Sequence, residues 1–176
     1  MHVQTAHTSD LATATLHAAR ALLDSAFAGE MTDDDWEHTL GGMHALGWLD
    51  GELVAHGAVI QRRLLHGGRA LRTGYVEAVA VQIDHQRRGY GTLVMQALES
   101  VIRRAYVVGA LGTSDQAPRF YEALGWRRWD GPTAALTPNG VRRTPEEDGW
   151  IYVLPVACEL DFAGELACDY RDGGEW

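Results

Sequence analysis

Lysine is absent from this 176-residue chain, and all fifteen basic residues are arginine. That absence excludes the GxxxxGK[ST] phosphate loop, whose lysine reaches the terminal phosphates. Cysteine is nearly absent. Cys158 and Cys168 form no CxxC and no metal-spaced cluster. This argues against a disulfide scaffold or a metal centre and predicts reduced thiols in a cytoplasmic protein. No apolar run approaches the ~20 residues of a membrane helix, and the N-terminus lacks a signal-peptide pattern. No membrane partner is expected. There is no GxSxG and no convincing Cys-His pair, so no covalent acyl-enzyme is expected. Positive charge is scarce: 24 Asp and Glu against 15 Arg leave a net charge of −9. Such a chain repels a nucleic-acid backbone and suits a cationic small molecule, although acidity also serves solubility alone.

What is present describes a soluble protein. Hydrophobic residues are 46% and charged residues 22%, and the length suits one domain with a sizeable core. The first seven residues read as a strand. Thr8-Ser9-Asp10 offers an N-cap for a helix running through Leu11, Leu16, Leu22 and Phe27 to Gly29. Thr32 caps a shorter helix over Asp33–Leu40. The period then changes to two. Met43–Leu49, Glu52–Arg63 and Ala70–Gln82 read as strands joined by Asp50-Gly51 and His66-Gly67-Gly68-Arg69. A helix ends near Arg104, Tyr106–Leu111 reads as a strand, and Gly112–Asp115 as a loop. Pro118 starts a short helix that Gly125 ends, and Trp126–Trp129 returns as a strand. Residues 130–149 read as a long loop with room for a hairpin, Trp150–Val156 as the last strand, and Cys158–Trp176 as an acidic tail. The fold class is α+β, a mixed α/β arrangement with a mostly antiparallel sheet, read as one domain over residues 1–176.

Tyr75–Val101 organises the rest. An apolar run, Val76–Val81, leads through a polar turn to Gln86-Arg87-Arg88-Gly89-Tyr90-Gly91. A helix with Leu93, Val94, Ala97, Leu98 and Val101 on one face follows. A buried strand, a basic glycine loop and a helix N-terminus in succession gather free N–H groups and a positive dipole end at one place. That suits a phosphate. Two solvated arginines on an ordinary strand-to-helix turn would look the same. The antiparallel run before the loop excludes a Rossmann fingerprint.

The order of parts resembles the GCN5-related N-acetyltransferase (GNAT) superfamily. Its acyl-CoA motif [QR]xxGx[GA] matches Gln86–Gly91, and its FYxxxGF segment matches Phe120–Trp126 with Trp in the last place. A narrower resemblance, spanning nearly the whole chain, is to the aminoglycoside 2'-N-acetyltransferases. It is carried by Phe27-Ala28-Gly29, by the run from Asp35 to Leu46 and by Ala58–Arg63. Gly74–Glu77 and Cys168–Arg171 continue it, and the chain ends on Trp176. Departures lie at the extreme N-terminus, at Gly112 and Thr113, and at Gly174 and Glu175.

The resemblance implies a splayed sheet flanked by helices, acetyl-CoA as co-substrate, a polycationic aminoglycoside as acceptor and a homodimer. It implies that Val79, Ala80 and Val81 pair with the pantetheine, with the Val79 N–H on the developing oxyanion. Gln86, Arg87, Arg88, Gly89, Tyr90 and Gly91 would cradle the pyrophosphate, with either arginine equally able to face solvent or the adenosine 3'-phosphate, and Gly112 would also touch the cofactor. Tyr121 would protonate the departing thiolate. Glu30, Asp35, Glu77, Ala78, Glu147 and Trp176 would meet the acceptor, with Glu77 and Trp176 near the chemistry. From alternation, Glu77 and Val79 share a sheet face, and an unpaired Glu77 in an apolar strand is costly to bury. Asp35 is equally explained as a helix-start acid, Glu147 as a loop charge, and Tyr121 as a packed aromatic. Two other readings stay open. One is a GNAT enzyme for a cell-wall sugar amine, a polyamine or a protein N-terminus; the other is a non-catalytic acyl-CoA-binding module.

Overall fold

Period-two patterning after Met43 becomes three strands in succession, and the longer two each contribute residues to two compact units. The computed structural model describes residues 1–113 and 117–176. In chain order these are β1 (His2–His7), α1 (Thr13–Ala26), α2 (Asp33–Thr39), β2 (Met43–Leu49), β3 (Glu52–His66), β4 (Arg69–Val81), α3 (Tyr90–Ala105) and β5 (Val108–Gly112). Then come α4 (Pro118–Ala123), β6 (Arg127–Arg128), β7 (Thr133–Thr137), β8 (Gly140–Arg143), β9 (Ile151–Pro155) and β10 (Leu166–Asp169). The chain forms two compact units, Met1–Ile60 with Val76–Val101, and Gln61–Tyr75 with Ile102–Trp176.

In the first unit β1, β2 and β3 form an antiparallel meander, with Val3 opposite Gly47 and Ala45 opposite Gly57. The apolar stripe of α1 explains its docking. Ala19 and Leu22 bury against Leu46 and Leu53, with Leu11, Trp36 and Trp48 around them. Each of the buried leucines is worth on the order of 1.5–3 kcal/mol. Gly57 lets α3 lie close on β3: a Cβ there would stand 2.9 Å from Val94 Cγ1 and 3.0 Å from Leu98 Cδ1. The expected N-cap at Thr8–Asp10 does not form. These residues make a 3-10 turn capped by His7, and α1 begins only at Thr13 after an uncapped Ala12. The reason is that Thr8 is committed elsewhere. Its Oγ1 accepts from the Gly41 N–H at 2.9 Å and bonds His44 Nε2 at 2.8 Å. Thr32 does cap α2, in a capping box with Asp35.

In the second unit β4 pairs in parallel with β5, β5 antiparallel with β9, and β9 with β6. β10 pairs antiparallel with β3 and in parallel with β7, which forms a hairpin with β8. Leu64, Tyr75, Trp129, Ile151, Val153 and Cys168 fill its core. The stretch over 130–149 therefore contains the β7–β8 hairpin. The acidic tail contains a strand, which the expectation missed. Leu166, Ala167 and Cys168 are buried between two partners, while Asp169 takes the buried Arg62 guanidinium at 2.7 Å. Arg62 also donates to Glu175 O at 2.5 Å, which ties down the tail. Both cysteines are free thiols. Gly112 closes β5; Ser114 and Asp115, expected to continue its loop, lie outside the described residues.

Candidate active site

α1 runs out at Ala26, and Ala28 and Gly29 turn the chain through left-handed conformations toward α2. That connection faces the end of β4. Phe27, Glu30, Met31, Asp35, Glu77 and Ala78 line a cavity of roughly 300 Å³. Three carboxyl-bearing side chains therefore surround one space with a partly apolar wall. Asp35 holds its place through Thr32, whose N–H and hydroxyl donate to Oδ2 at 2.9 and 2.7 Å. Its neighbour Asp33 is paired instead with Arg20 at 3.0 Å. Glu30, Asp35, Glu77 and Ala78, expected together, are thus brought together. Glu77 is half-buried and is not without a partner. The expectation of an unpaired, buried acid there is corrected.

β4 is irregular where chemistry was expected. Ala78 has φ +51°, a left-handed conformation that an L-residue avoids. This breaks the alternation, so Glu77 and Val79 do not share surroundings as predicted. Glu77 faces the cavity, whereas Val79 lies against Gly57 in the packing of α3. Ala80 is buried and Val81 half-buried. The Ala78 carbonyl accepts from His56 Nδ1 at 3.0 Å, and His56 Nε2 meets His44 Nδ1 at 3.0 Å. Burial pushes both imidazoles down to about 4, helped at His44 by neighbouring His56 and His7.

The loop after β4 is exposed from Gln86 to Gly89. Gln86 Nε2 donates to Val81 O at 3.3 Å, and Leu93 N–H to Gly89 O at 3.1 Å. Gly89 therefore precedes the first turn of α3, which supplies the N–H groups of Tyr90 and Gly91. Arg87 and Gly89 have φ +60° and +81°. Left-handed residues in such a turn make an anion-binding concavity. The residues present thus fit a pyrophosphate, with two arginines beside it.

In the second unit Tyr121 is buried on α4 between Phe120, Trp126 and Tyr152, with ring centroids 5.1, 6.5 and 6.4 Å away. Burial pushes its phenol up to about 12, so it stays protonated at neutral pH. Gly112 is next to Tyr75, whose Oη would stand 3.3 Å from an added Cβ. Trp176 Nε1 donates to Thr144 Oγ1 at 3.0 Å, and Thr144 O accepts from the Glu147 N–H at 2.9 Å. Trp176 and Glu147 therefore share one anchor. Glu147 is half-buried, and burial, then Glu146 and Glu175, raise its carboxyl.

Sequence reasoning missed Phe27 and Met31 in the cavity wall, the His44–His56 pair, and the left-handed Ala78 and Arg87. Phe27 was visible as a helix-stripe residue and as part of the family resemblance, but not as a cavity residue. A histidine in each of two apolar strands was a usable signal for the pair.

Residues 7–129 match the family described as an acetyltransferase (GNAT) domain. An aminoglycoside 2'-N-acetyltransferase of Mycolicibacterium fortuitum is 52% identical over 174 residues, covering 97% of this chain and 89% of the relative. A GNAT family acetyltransferase from Brucella melitensis, solved in complex with acetyl-CoA, superposes with a TM-score of 0.63 at 15% identity over 97% of each chain. The ribosomal-protein-S18-alanine N-acetyltransferase of Escherichia coli does so with 0.59 at 20% identity, over 90% of this chain and 96% of that one. These two structures share the fold.

Proposed function

The chain belongs to the GNAT acetyltransferase family, and we propose that it acetylates the 2'-amine of aminoglycoside antibiotics, using acetyl-CoA and conferring resistance. The observation that carries the acceptor class is the cavity of Glu30, Asp35 and Glu77 at the end of β4. An aminoglycoside bears several ammonium groups, and converging carboxylates suit it. The relative's printed activity supplies the regiochemistry.

Acetyl-CoA supplies an already activated acyl group, so no protein nucleophile is needed. The Arg87–Gly91 turn and the α3 N-terminus bind its pyrophosphate. Val79, Ala80 and Val81 orient its pantetheine by backbone pairing, and Gly112 borders its path. The Val79 N–H stabilises the oxygen that becomes negative as the amine forms the new C–N bond. Glu77 holds the attacking amine and takes its surplus proton, directly or through water. Tyr121, a phenol kept protonated by burial, hydrogen-bonds the sulfur as the C–S bond breaks. Glu30 and Asp35 hold the acceptor's ammonium groups, and Glu147 and Trp176 are further acceptor contacts. Residues 1–176 act as one catalytic domain; β3, β4 and α3 each run from one unit into the other, which supports this.

The working form is a cytoplasmic homodimer without nucleic-acid or membrane partners. The acidic charge supports the former exclusion. Among the described residues no helix is long and apolar enough to cross a membrane. Purified protein should release CoA with gentamicin or tobramycin, which carry a 2'-amine. It should form no amide at the 2' position of kanamycin A, which has a hydroxyl there. Equal N-acetylation of all three drugs would defeat the regiochemistry.

A further inference from the structure

Two histidines that the mechanism does not use are buried on the two strands that lead up to the left-handed Ala78 of β4. His44 on β2 and His56 on β3 are both fully buried. Their bonds link Thr8, His44, His56 and the Ala78 carbonyl in one row across three strands. The proton positions are set by the ends of the row. A carbonyl only accepts, so His56 Nδ1 carries hydrogen. Neutral His56 then has a bare Nε2, so His44 Nδ1 must donate to it. His44 Nε2 is therefore bare and, at 2.8 Å, takes the Thr8 hydroxyl hydrogen in competition with the more distant Gly42 carbonyl at 3.2 Å, while Thr8 Oγ1 accepts from the Gly41 N–H at 2.9 Å. Every bond points the same way. The row ends on a carbonyl, which cannot pass a proton on. Its role is orientation rather than proton transport.

What it orients is the peptide between Ala78 and Val79. That peptide is trans, since the described chain has no cis bonds. In a trans peptide C=O and N–H point in opposite directions. Holding the Ala78 oxygen against His56 therefore turns the Val79 N–H away from β3. A row of bonds that all donate in one direction also polarises that peptide, which strengthens its N–H as a donor. The left-handed backbone at Ala78 needs such an external hold, because alanine alone does not favour it.

We infer that His44 and His56 are positioning residues for acetyl transfer, aiming and polarising the Val79 N–H through the Ala78 carbonyl. The inference rests on the proposed acetyltransferase reaction, in which that N–H meets the developing oxyanion.

The test compares His56→Leu, which removes the donor, with His56→Asn, whose side-chain amide can reproduce Nδ1–H toward Ala78. Kinetics are measured well below each variant's melting temperature. His56→Leu should lose at least tenfold in kcat, with the KM for tobramycin and the Kd for CoA within twofold of wild type. His56→Asn should recover to within about threefold. Nitrogen-15 spectra of the unmutated protein at pH 7 should show both imidazoles as Nδ1–H tautomers. The Val79 amide proton should move upfield in His56→Leu. A folded His56→Leu variant with wild-type kcat, or Nε2–H tautomers, would overturn the inference. The spectra need no acceptor. The stated tautomers in the wild-type protein and the Val79 shift in His56→Leu, with no acetyl transfer by the wild type to any 2'-amine, would support the hydrogen-bond row and overturn the acceptor assignment.

Discussion

The indole of Trp176 donates to the hydroxyl of Thr144 at 3.0 Å, three residues before Glu147. The Thr144 hydroxyl passes its own hydrogen to Thr133 Oγ1 at 2.9 Å, and the Thr133 hydroxyl has two acceptors within reach, Thr144 O at 2.7 Å and Asp148 Oδ1 at 2.8 Å. The bond is one end of a short polar chain. Trp176→Phe keeps most of the ring's packing and removes the donor. It should cost about 1 kcal/mol of stability, the ordinary worth of one hydrogen bond. If Trp176 borders the acceptor, kcat/KM for tobramycin should also fall roughly tenfold while the KM for acetyl-CoA holds. Thr144→Val breaks two links and should cost more, and the double variant should be less than additive. Urea unfolding and steady-state kinetics on the three variants check this.

The cavity carboxylates should separate by role. Glu77→Gln removes the proposed acceptor of the amine's proton and should lower kcat about 100-fold, the low end for a general base. Glu30→Gln and Asp35→Asn remove attraction for a cation without touching the proton path. Each should raise the KM for tobramycin several-fold at nearly unchanged kcat. Asparagine can keep the acceptor of the Thr32 capping box, so Asp35→Asn should lose well under 1 kcal/mol of stability. A kcat loss confined to Asp35→Asn would reverse the assignment of the base.

How much of this site was readable depends on how far apart its parts lie in the chain. Gln86–Gly91 stood out because strand, loop and helix succeed one another directly. Glu77 stood out as a charge in an apolar run. Glu30 and Asp35 were named as ligands only through the family resemblance, and Asp35 does make the ordinary helix-start contact with Thr32 as well as line the cavity. Their convergence on Glu77 depends on the fold of the α1–α2 connection, which no local pattern encodes. The kink at Ala78 was hidden for the opposite reason: alanine carries no preference for a positive φ. β10 escaped notice because four residues in an acidic stretch have no visible period, and their strand character comes from β3 and β7.

Stability should depend on pH through the buried histidines. Their folded values of about 4 lie below the ordinary 6.5. The unfolded chain therefore binds more protons between those limits, and stability falls as pH drops from 6.5 toward 4. Above 6.5 this contribution is complete and flat. A shift of that size corresponds to about 3 kcal/mol for each imidazole. Glu147, whose carboxyl is raised mainly by burial, works in the opposite direction as pH falls. Urea midpoints at pH 8, 6 and 5 should drop mainly below 6.5, and His56→Asn should flatten the drop. A pH-independent midpoint over this range would contradict the neutral, buried pair.

The turn before α3 allows two substitutions with opposite effects on stability and the same effect on binding. Gly89 sits at φ +81° with nothing within 4 Å of an added Cβ. Gly89→Ala therefore meets only conformational strain, about 1 kcal/mol. Arg87 already carries that strain at φ +60°. Arg87→Gly should relieve roughly 0.5–1 kcal/mol while removing a charge from the proposed pyrophosphate site. Both should raise the KM for acetyl-CoA, by about tenfold for the lost arginine, and leave the KM for tobramycin unchanged. Thermal melts should move down for Gly89→Ala and up for Arg87→Gly. Because binding weakens in both while stability moves in opposite directions, a common stability effect cannot account for the result. If acetyl-CoA affinity instead tracks stability, rising in Arg87→Gly, the turn is a structural element and the pyrophosphate binds elsewhere.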